Sequence, residues 1–508
     1  MSGIHADEKT KSTAARIETL HPVDTEKRSA TSQNGEDEIS EADNKRLRRR
    51  IDWFLMPLLC TVYGLQYLDK TGLTWASIMG IIPDTKLTMD EYSWLGSVFF
   101  LGFLAGEYPL CWAQQRWPLA KVTGLTIIVW GAVLGSMAAC KDFKGLMVTR
   151  FLLGFLESAI TPALTIFTAQ WYRVSEQGLR TGVWYSTQAG SVIFGGSVAY
   201  AFAMGSLHKT LSIASWRALL ILFAAITVVV GVAFMFLIPD SPETAWFLTE
   251  EDRKLARIRT KENQLGTTDN RFKWYQVREA LLDPAVWLLC LVSLTIMIPS
   301  GGLLNFYGIV VKSMGFTAES TLLMSTAGSW NVASVLFFPW LAGKLRRRAL
   351  VSVLPMLIGL VGVAMVWGAK NKIVRFIGYN LGLGYAAAFG LAISLLTSNV
   401  AGRTKKTTAN AMFLIFCGCC AACGELTADC VGNLIGPQTF RQKDAPGYVP
   451  ALTSIVVLYC VAILLLIATH FLYAHRNSKR VWTEGNEPLA ADSEDLTDRE
   501  NPHFHYAL

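Results

Sequence analysis

Residues 67–80 read YLDKTGLTWASIMG and close an apolar run that opens at Ile51 with IDWFLMPLLCTVYGLQ. A helix over residues 51–82 would be ~48 Å long, more than the ~30 Å hydrocarbon core of a bilayer. Asp69 and Lys70 fall near its middle. A charged side chain at the bilayer centre costs ~2.5–3.5 kcal/mol on insertion scales. Adjacent residues point about 100° apart on a helix and do not readily satisfy each other. Each must therefore find another helix or a wet cavity.

Outward from this run, similar windows recur near residues 92–112, 120–139, 146–171, 179–204 and 216–238, then 284–312, 320–343, 349–368, 373–398, 408–436 and 449–474. Of the 508 residues 52% are hydrophobic and 17% charged, against ~25% charged in soluble domains. Mean hydropathy is +0.34. The pattern predicts an all-α membrane protein with twelve transmembrane helices in two six-helix bundles. The expected division is a disordered tail over 1–44, an amino-terminal bundle over 45–238, a charged loop over 239–283, a carboxy-terminal bundle over 284–474 and a tail over 475–508. Parallel halves of this kind hold substrate near the midplane.

Lys and Arg set the orientation. NKRLRRR precedes the first window, and QQRWPLAK, WYRVSEQGLR, KLRRR, GRTKK and HRNSKR all fall on the same side if the helices alternate. The net charge of +7 thus reads as topology rather than nucleic-acid binding, and both termini are expected in the cytoplasm. The polar amino terminus lacks the apolar core of a cleaved secretory signal.

The fourth window, VTRFLLGFLESAITPAL, supplies counterparts for Asp69 and Lys70. Arg150 and Glu157 are seven apart, so they share a helix face about 10.5 Å apart along the axis. Arg150 reads equally as a snorkelling residue near the outer end. A buried carboxylate can load and release a proton as access alternates. Lys70 and Arg150 are natural counter-charges for a carboxylate substrate. Anion binding would draw the cation from its carboxylate, which then favours protonation; this is a physical route to proton–anion symport. Asp69 and Glu157 are the expected proton-coupling pair, in a wet crevice between the halves. Tyr67, Tyr185, Gln188, Asn305, Tyr307, Asn331 and Tyr385 are softer substrate-binding candidates. In the seventh window, IPSGGLLNFYG predicts a broken helix. Glu107, with Arg116, is expected to form a structural or gating ion pair.

Together Tyr67, Asp69 and Lys70, Arg150 and Glu157, and Gln188 resemble the signatures of the anion:cation symporter family within the major facilitator superfamily. YLDKT, SWLGSVFFLGFLAGEYP, RFLLGFLES, SNVAGRTKKTT, GNLIGPQTFRQKDAPGY and DLTDRENPHFHYAL are similar to the fungal allantoate permease branch. The resemblance implies proton-coupled uptake of a small organic anion by a monomer in the plasma membrane, in contact with lipid. Its branch spans ureides, carboxylate vitamins and small peptides. Cys111, Trp112 and Ala120 depart from the branch pattern. So does the stretch from about Cys417 to Asp429, which lengthens the eleventh window beyond one untilted crossing and reads as retained intron or gene-model error. Spliced-transcript reads that keep these codons would dispose of that reading.

Competing classes are bounded by what the chain lacks. No Gly-x4-Gly-Lys-Ser/Thr is present, so an ATP-driven pump is excluded, and no enzyme is expected. Cys417, Cys419, Cys420 and Cys423 lack the paired spacing of structural zinc. No metal or other cofactor is expected. A proton-antiporting exporter and a non-transporting nutrient sensor remain the alternatives on the same scaffold.

Overall fold

The computed structural model describes residues 40–207, 213–265, 273–325, 329–417, 430–445, 447–480, 496–501 and 504–508; some further helical side chains, Asn331 among them, lie outside the description. The stretch 418–429 and the first 39 residues are also outside it.

Helix ends form where the sequence supplies caps. Thr88 and Glu91 make a reciprocal capping box at the start of α2 (Met89–Arg116). Asp142 accepts from the Gly145 amide at the start of the helix Phe143–Glu157, and Asp283, just before Pro284, caps α7 (Pro284–Ser313). Each side chain satisfies amides that the helix leaves orphaned. Between these lie α1 (Glu41–Ile78), α3 (Leu119–Met137), α5 (Val174–Leu207) and α6 (Ser215–Leu237). After α7 come α9 (Arg348–Gly368) and α12 (Val449–Ser478). Two crossings are in two pieces, α4 (Phe143–Glu157, Ile160–Trp171) and α10 (Lys372–Gly382, Tyr385–Asn399); of α8 the described parts are Ala318–Ser325 and Ser329–Leu345, and of α11 Arg403–Cys417 and Cys430–Ile435. Ten crossings are long and apolar enough to span a bilayer among the described residues; α8 and α11, each divided by residues outside the description, complete twelve in two six-helix bundles.

α1 has 38 residues and begins at Glu41, inside the stretch expected to be tail. Its first turns project past the bilayer and are held by charge. Asp252, on the helix Glu250–Leu265, meets Arg46 at 2.9 Å and Arg50 at 3.0 Å, and Arg180 grips Asp52 at 2.9 and 3.2 Å. Charge again orders the matching end of the second bundle. Burial alone would push the Asp283 carboxyl up, but hydrogen bonds from Arg476 and the charges of Arg476 and Lys405 hold it below the usual carboxylate range.

Close helix packing runs through glycine. A Cβ on Gly154 of α4 would sit 1.9 Å from the Phe99 carbonyl oxygen of α2, and one on Gly102 of α2 would sit 2.0 Å from that of Phe151. These backbones touch, as small residues allow in membranes.

The seventh helix corrects an expectation, for Pro284–Ser313 is continuous. Its Ser300-Gly301-Gly302 step is small because α11 lies against it. A Cβ on Gly301 would meet the Asn433 backbone at 2.6 Å, and one on Gly436 the Ile298 carbonyl oxygen at 2.4 Å. The real interruptions lie in α4 and α10, at corresponding places in the two halves.

Cross-bundle hydrogen bonds gather at the end away from residues 41 and 478. Thr74 bonds the Leu304 carbonyl at 3.1 Å, Trp75 bonds Ser325 at 3.1 Å and Tyr92 bonds the Asn305 carbonyl at 2.9 Å. Ser97 bonds the Leu434 carbonyl at 2.7 Å and accepts from Gln438 at 2.9 Å. The two bundles are thus laced together at their far end.

Candidate transport site

Helix phase decides which residues of α1 see the other bundle. Tyr63, Tyr67, Lys70 and Thr74 follow i, i+4, i+7, i+11 spacing and share one face. Thr74 bonds α7, so this face lines the seam between bundles. Gln66 and Asp69 point away, into the amino-terminal bundle. Asp69, expected in a wet crevice, is 2% exposed there. The adjacent pair is therefore split: the lysine goes to the seam and the aspartate to the packed interior behind it.

Asp69 meets Trp130 and Arg150 there. Its Oδ2 accepts from the Trp130 indole of α3 at 2.7 Å, and its Oδ1 lies 3.9 Å from Arg150 of α4. Arg150 is 2% exposed, so it is an interior ion-pair partner and not a snorkelling residue. Its guanidinium rests over the Phe99 ring, 5.1 Å from the centroid. Glu157 is 0% exposed. Neither of its oxygens accepts from a donor among the described residues, and the Asp69 carboxyl lies within hydrogen-bond reach of it. Its electrostatic neighbours are Asp69, Lys70 and Arg150. Lys70 is half-buried, with its ammonium 5.4 Å from the centroid of the Phe103 ring of α2.

The break in α4 holds Glu157 in place. Pro162 has no N–H for the Ser158 carbonyl and its ring crowds that carbonyl, so the helix stops at Glu157 and restarts at Ile160. Two glutamines cover the loosened backbone. Gln66 of α1 donates to the Glu157 carbonyl at 3.1 Å, and Gln114 of α2 donates to that of Ala159 at 2.8 Å. In α10 the break at Leu383-Gly384 is covered likewise by the Tyr459 hydroxyl, 2.7 Å from the Gly382 carbonyl. Sequence reading missed Trp130, Gln66, Gln114 and Tyr459. Only Gln66 carried a signal, as an amide inside an apolar run; the indole and the phenol look like ordinary core.

The other expected residues fall into separate places. Gln188 of α5 donates to the Tyr63 hydroxyl at 2.8 Å, and the Tyr185 ring lies 5.6 Å from that of Tyr63. With half-buried Tyr67 they extend the Lys70 wall. Across the seam, Tyr385 accepts from Ser300 at 2.9 Å. Asn305 turns back onto its own helix, donating to the Gly301 carbonyl at 2.8 Å, and Tyr307 bonds the Met324 carbonyl at 3.1 Å. The Tyr307 bond stays within the carboxy-terminal bundle, whereas the amide end of Asn305 lies against Gly96 of α2 and so stands at the seam. Asn331 lies outside the described side chains. Glu107 is buried and Arg116 exposed. Nine residues apart on one helix, they stand about 13.5 Å apart along the axis and on opposite faces; that geometry does not make the expected pair.

The residues matched by the family model for the Major Facilitator Superfamily are 59–424, most of the membrane domain just described. The chain belongs to the major facilitator superfamily. Among curated relatives, an uncharacterized transporter of Schizosaccharomyces pombe is 35% identical over 93% of this chain and 91% of its own length. The allantoate permease of Saccharomyces cerevisiae is 31% identical over 93% of this chain and 88% of its own. A thiamine pathway transporter of the same yeast is 31% identical over 91% and 86%. These place the chain in the fungal allantoate permease branch, as a multi-pass membrane transporter of small molecules. Fold likeness extends to a bacterial homolog of the human lysosomal transporter Spinster, solved inward-facing and unoccupied. There the TM-score is 0.63 at 16% identity, over 88% of this chain and all of that one.

Within this superfamily fold the Trp130–Asp69 bond is testable directly. Trp130→Phe keeps the ring and removes the donor, leaving a buried acceptor short of a partner. The expected loss is about 1–3 kcal/mol of stability, read as a lowered melting temperature of the purified transporter. Combined with Asp69→Asn, the two losses fall short of their sum.

Proposed function

We propose that this transporter carries a small organic anion by proton symport, with Asp69 and Glu157 as the proton-coupling pair and Lys70 as the cation that meets the anion. The observation that carries the reading is Glu157: wholly buried, with no donor to either oxygen among the described residues, within hydrogen-bond reach of the Asp69 carboxyl and beside two cations. Burying an unpaired charge costs several kcal/mol, so such a group is a place for a proton.

The chemistry follows from where the four groups stand. Lys70 is on the seam, where substrate passes between bundles. Glu157 feels Lys70 from behind the wall. An arriving carboxylate engages Lys70, and the acid pair is left facing Arg150 as its one close cation. Two acids against one base leave an excess negative charge, which a proton neutralises. Anion and proton are then loaded together without either entering the other's site. Tyr63, Tyr67 and Gln188 would bind the body of the substrate by stacking and by the amide. Lys and Arg distribution puts both tails in the cytoplasm, so the laced far end is the outer side, and the bundles are shut toward the outside. Division into bundles over 45–238 and 284–474, joined by 239–283, fits helices that rock against each other about this seam.

The deciding experiment is uptake by cells expressing the chain, across ureides and carboxylate vitamins, with and without a protonophore. Allantoate, named in one relative, is the first compound to try. Accumulation that collapses with the protonophore supports symport; uptake indifferent to it, or binding with no accumulation, removes the reading. Lys70→Ala is expected to raise the KM for the anion on the order of tenfold, about 1.4 kcal/mol, while the maximal rate stays within about a factor of two. An unchanged KM would take Lys70 out of the substrate site.

A further inference from the structure

The stretch expected to be a free tail is partly folded. Residues 496–501 and 504–508 lie against the end of the carboxy-terminal bundle that carries the termini. Two asparagines read its backbone. Asn477 of α12 donates to the Tyr506 carbonyl at 2.9 Å and accepts from the Tyr506 amide at 3.0 Å. Asn399 of α10 does the same for Ala507, at 2.9 and 2.6 Å. Neighbouring peptide groups of an extended strand point to opposite sides, so the segment is gripped from both.

Side chains add the specificity. Lys405, at the start of α11, is 0% exposed and meets Asp498 at 2.5 Å, Glu279 at 2.9 Å and Asp283 at 3.4 Å. Asp498, also 0% exposed, accepts a second bond from the Tyr506 hydroxyl at 2.8 Å. Arg480 donates to the carbonyls of Asp498, Asn501 and Phe504. The Tyr506 ring stacks on Tyr473 of α12, centroids 5.2 Å apart.

We propose that this end of the bundle is a receptor site for an acidic–aromatic peptide, whose occupant is the chain's own residues 496–501 and 504–508. Occupancy fastens the ends of α7, α10, α11 and α12 to one another. Removing the segment uncovers a buried lysine, two paired acids and two asparagine amides that were satisfied by it. A fastening of this kind acts on the stability of one half of the molecule. Every contact above stays within that half, so the far-end lacing is untouched. The inference does not depend on what is transported.

The test uses the full chain with a site-specific protease sequence placed between residues 484 and 490, cut only after the protein has folded in detergent. Once the fragment is washed out, the melting temperature is expected to fall by about 4 °C or more. A fluorescein-labelled synthetic peptide of residues 495–508 should then bind one to one and restore it. The same peptide carrying Asp498→Lys should bind on the order of tenfold more weakly, or worse. A cut fragment retained through repeated washing counts for the site. A fragment lost with no change in melting temperature overturns it, as does equal binding of the Asp498→Lys peptide. Asn399→Ala in the chain should weaken the unaltered peptide; if that variant fails to fold, the two peptides on the unaltered chain still decide.

Discussion

Glu157→Gln is expected to end proton-driven accumulation while leaving the protein folded and at the membrane. The amide keeps the shape and cannot take a proton, so the carrier is left moving its anion alone. An uncoupled carrier only equilibrates, and against an interior-negative potential it does worse. At 100 mV one elementary charge is worth about 2.3 kcal/mol, which is roughly fiftyfold. A monovalent anion would then settle well below its outside concentration, where the unaltered protein concentrates it. Exchange of labelled for unlabelled substrate, which needs no net proton movement, should persist. Steady-state internal to external ratios in vesicles with an imposed pH gradient measure both. Protonophore-sensitive accumulation by Glu157→Gln at the unaltered level would sink the assignment. Asp69→Asn is expected to lose accumulation too, and also stability, because Asp69 holds both Trp130 and Arg150.

Gly154→Ala is expected to cost the amino-terminal bundle its fold. The added carbon would lie 1.9 Å from the Phe99 carbonyl oxygen and 2.8 Å from its carbon. Ordinary contact needs well over 3 Å. Both obstructing atoms are backbone of a rigid helix, so no rotamer change relieves the clash and α2 and α4 must move apart. Overpacking typically costs 1–3 kcal/mol and more where nothing yields; about 3 kcal/mol or more is expected here. The same helix pair positions Glu157 and Gln114, so surviving protein would also transport poorly. Gly190→Ala is the control, since nothing lies within 4 Å of its added carbon. Fluorescence-detected size exclusion and thermal melting of both variants give the answer, and a Gly154→Ala protein that melts like the unaltered one would refute the packing account.

Much of the fold was legible because the bilayer imposes its constraints locally. A run of about 20 apolar residues needs no knowledge of its neighbours to be read as a crossing. Misreadings arose where one residue type serves two purposes. Ser300-Gly301-Gly302 in α7 looked like a break and is a packing surface for α11, whereas α4 is interrupted at Ser158-Ala159, where no break was expected. Glycine and serine mean close approach in one case and interruption in the other, and only the partner helix tells which. At the site, the charged residues stood out by their cost in lipid, whereas Trp130 and Tyr459, whose polar atoms hold Asp69 and the α10 break, did not.

The order of the crossings, their number, and the presence of two acids and two bases inside one bundle were fixed by the sequence alone, since apolar length and buried charge carry their free energies residue by residue. Which way each charge faces was decided only by the tertiary structure. Asp69 and Lys70 are neighbours in the chain, yet about 100° of helical turn sends one to Trp130 and Arg150 and the other to the seam. That choice rests on contacts with helices 61 and 81 residues away in the chain, and no local pattern encodes it.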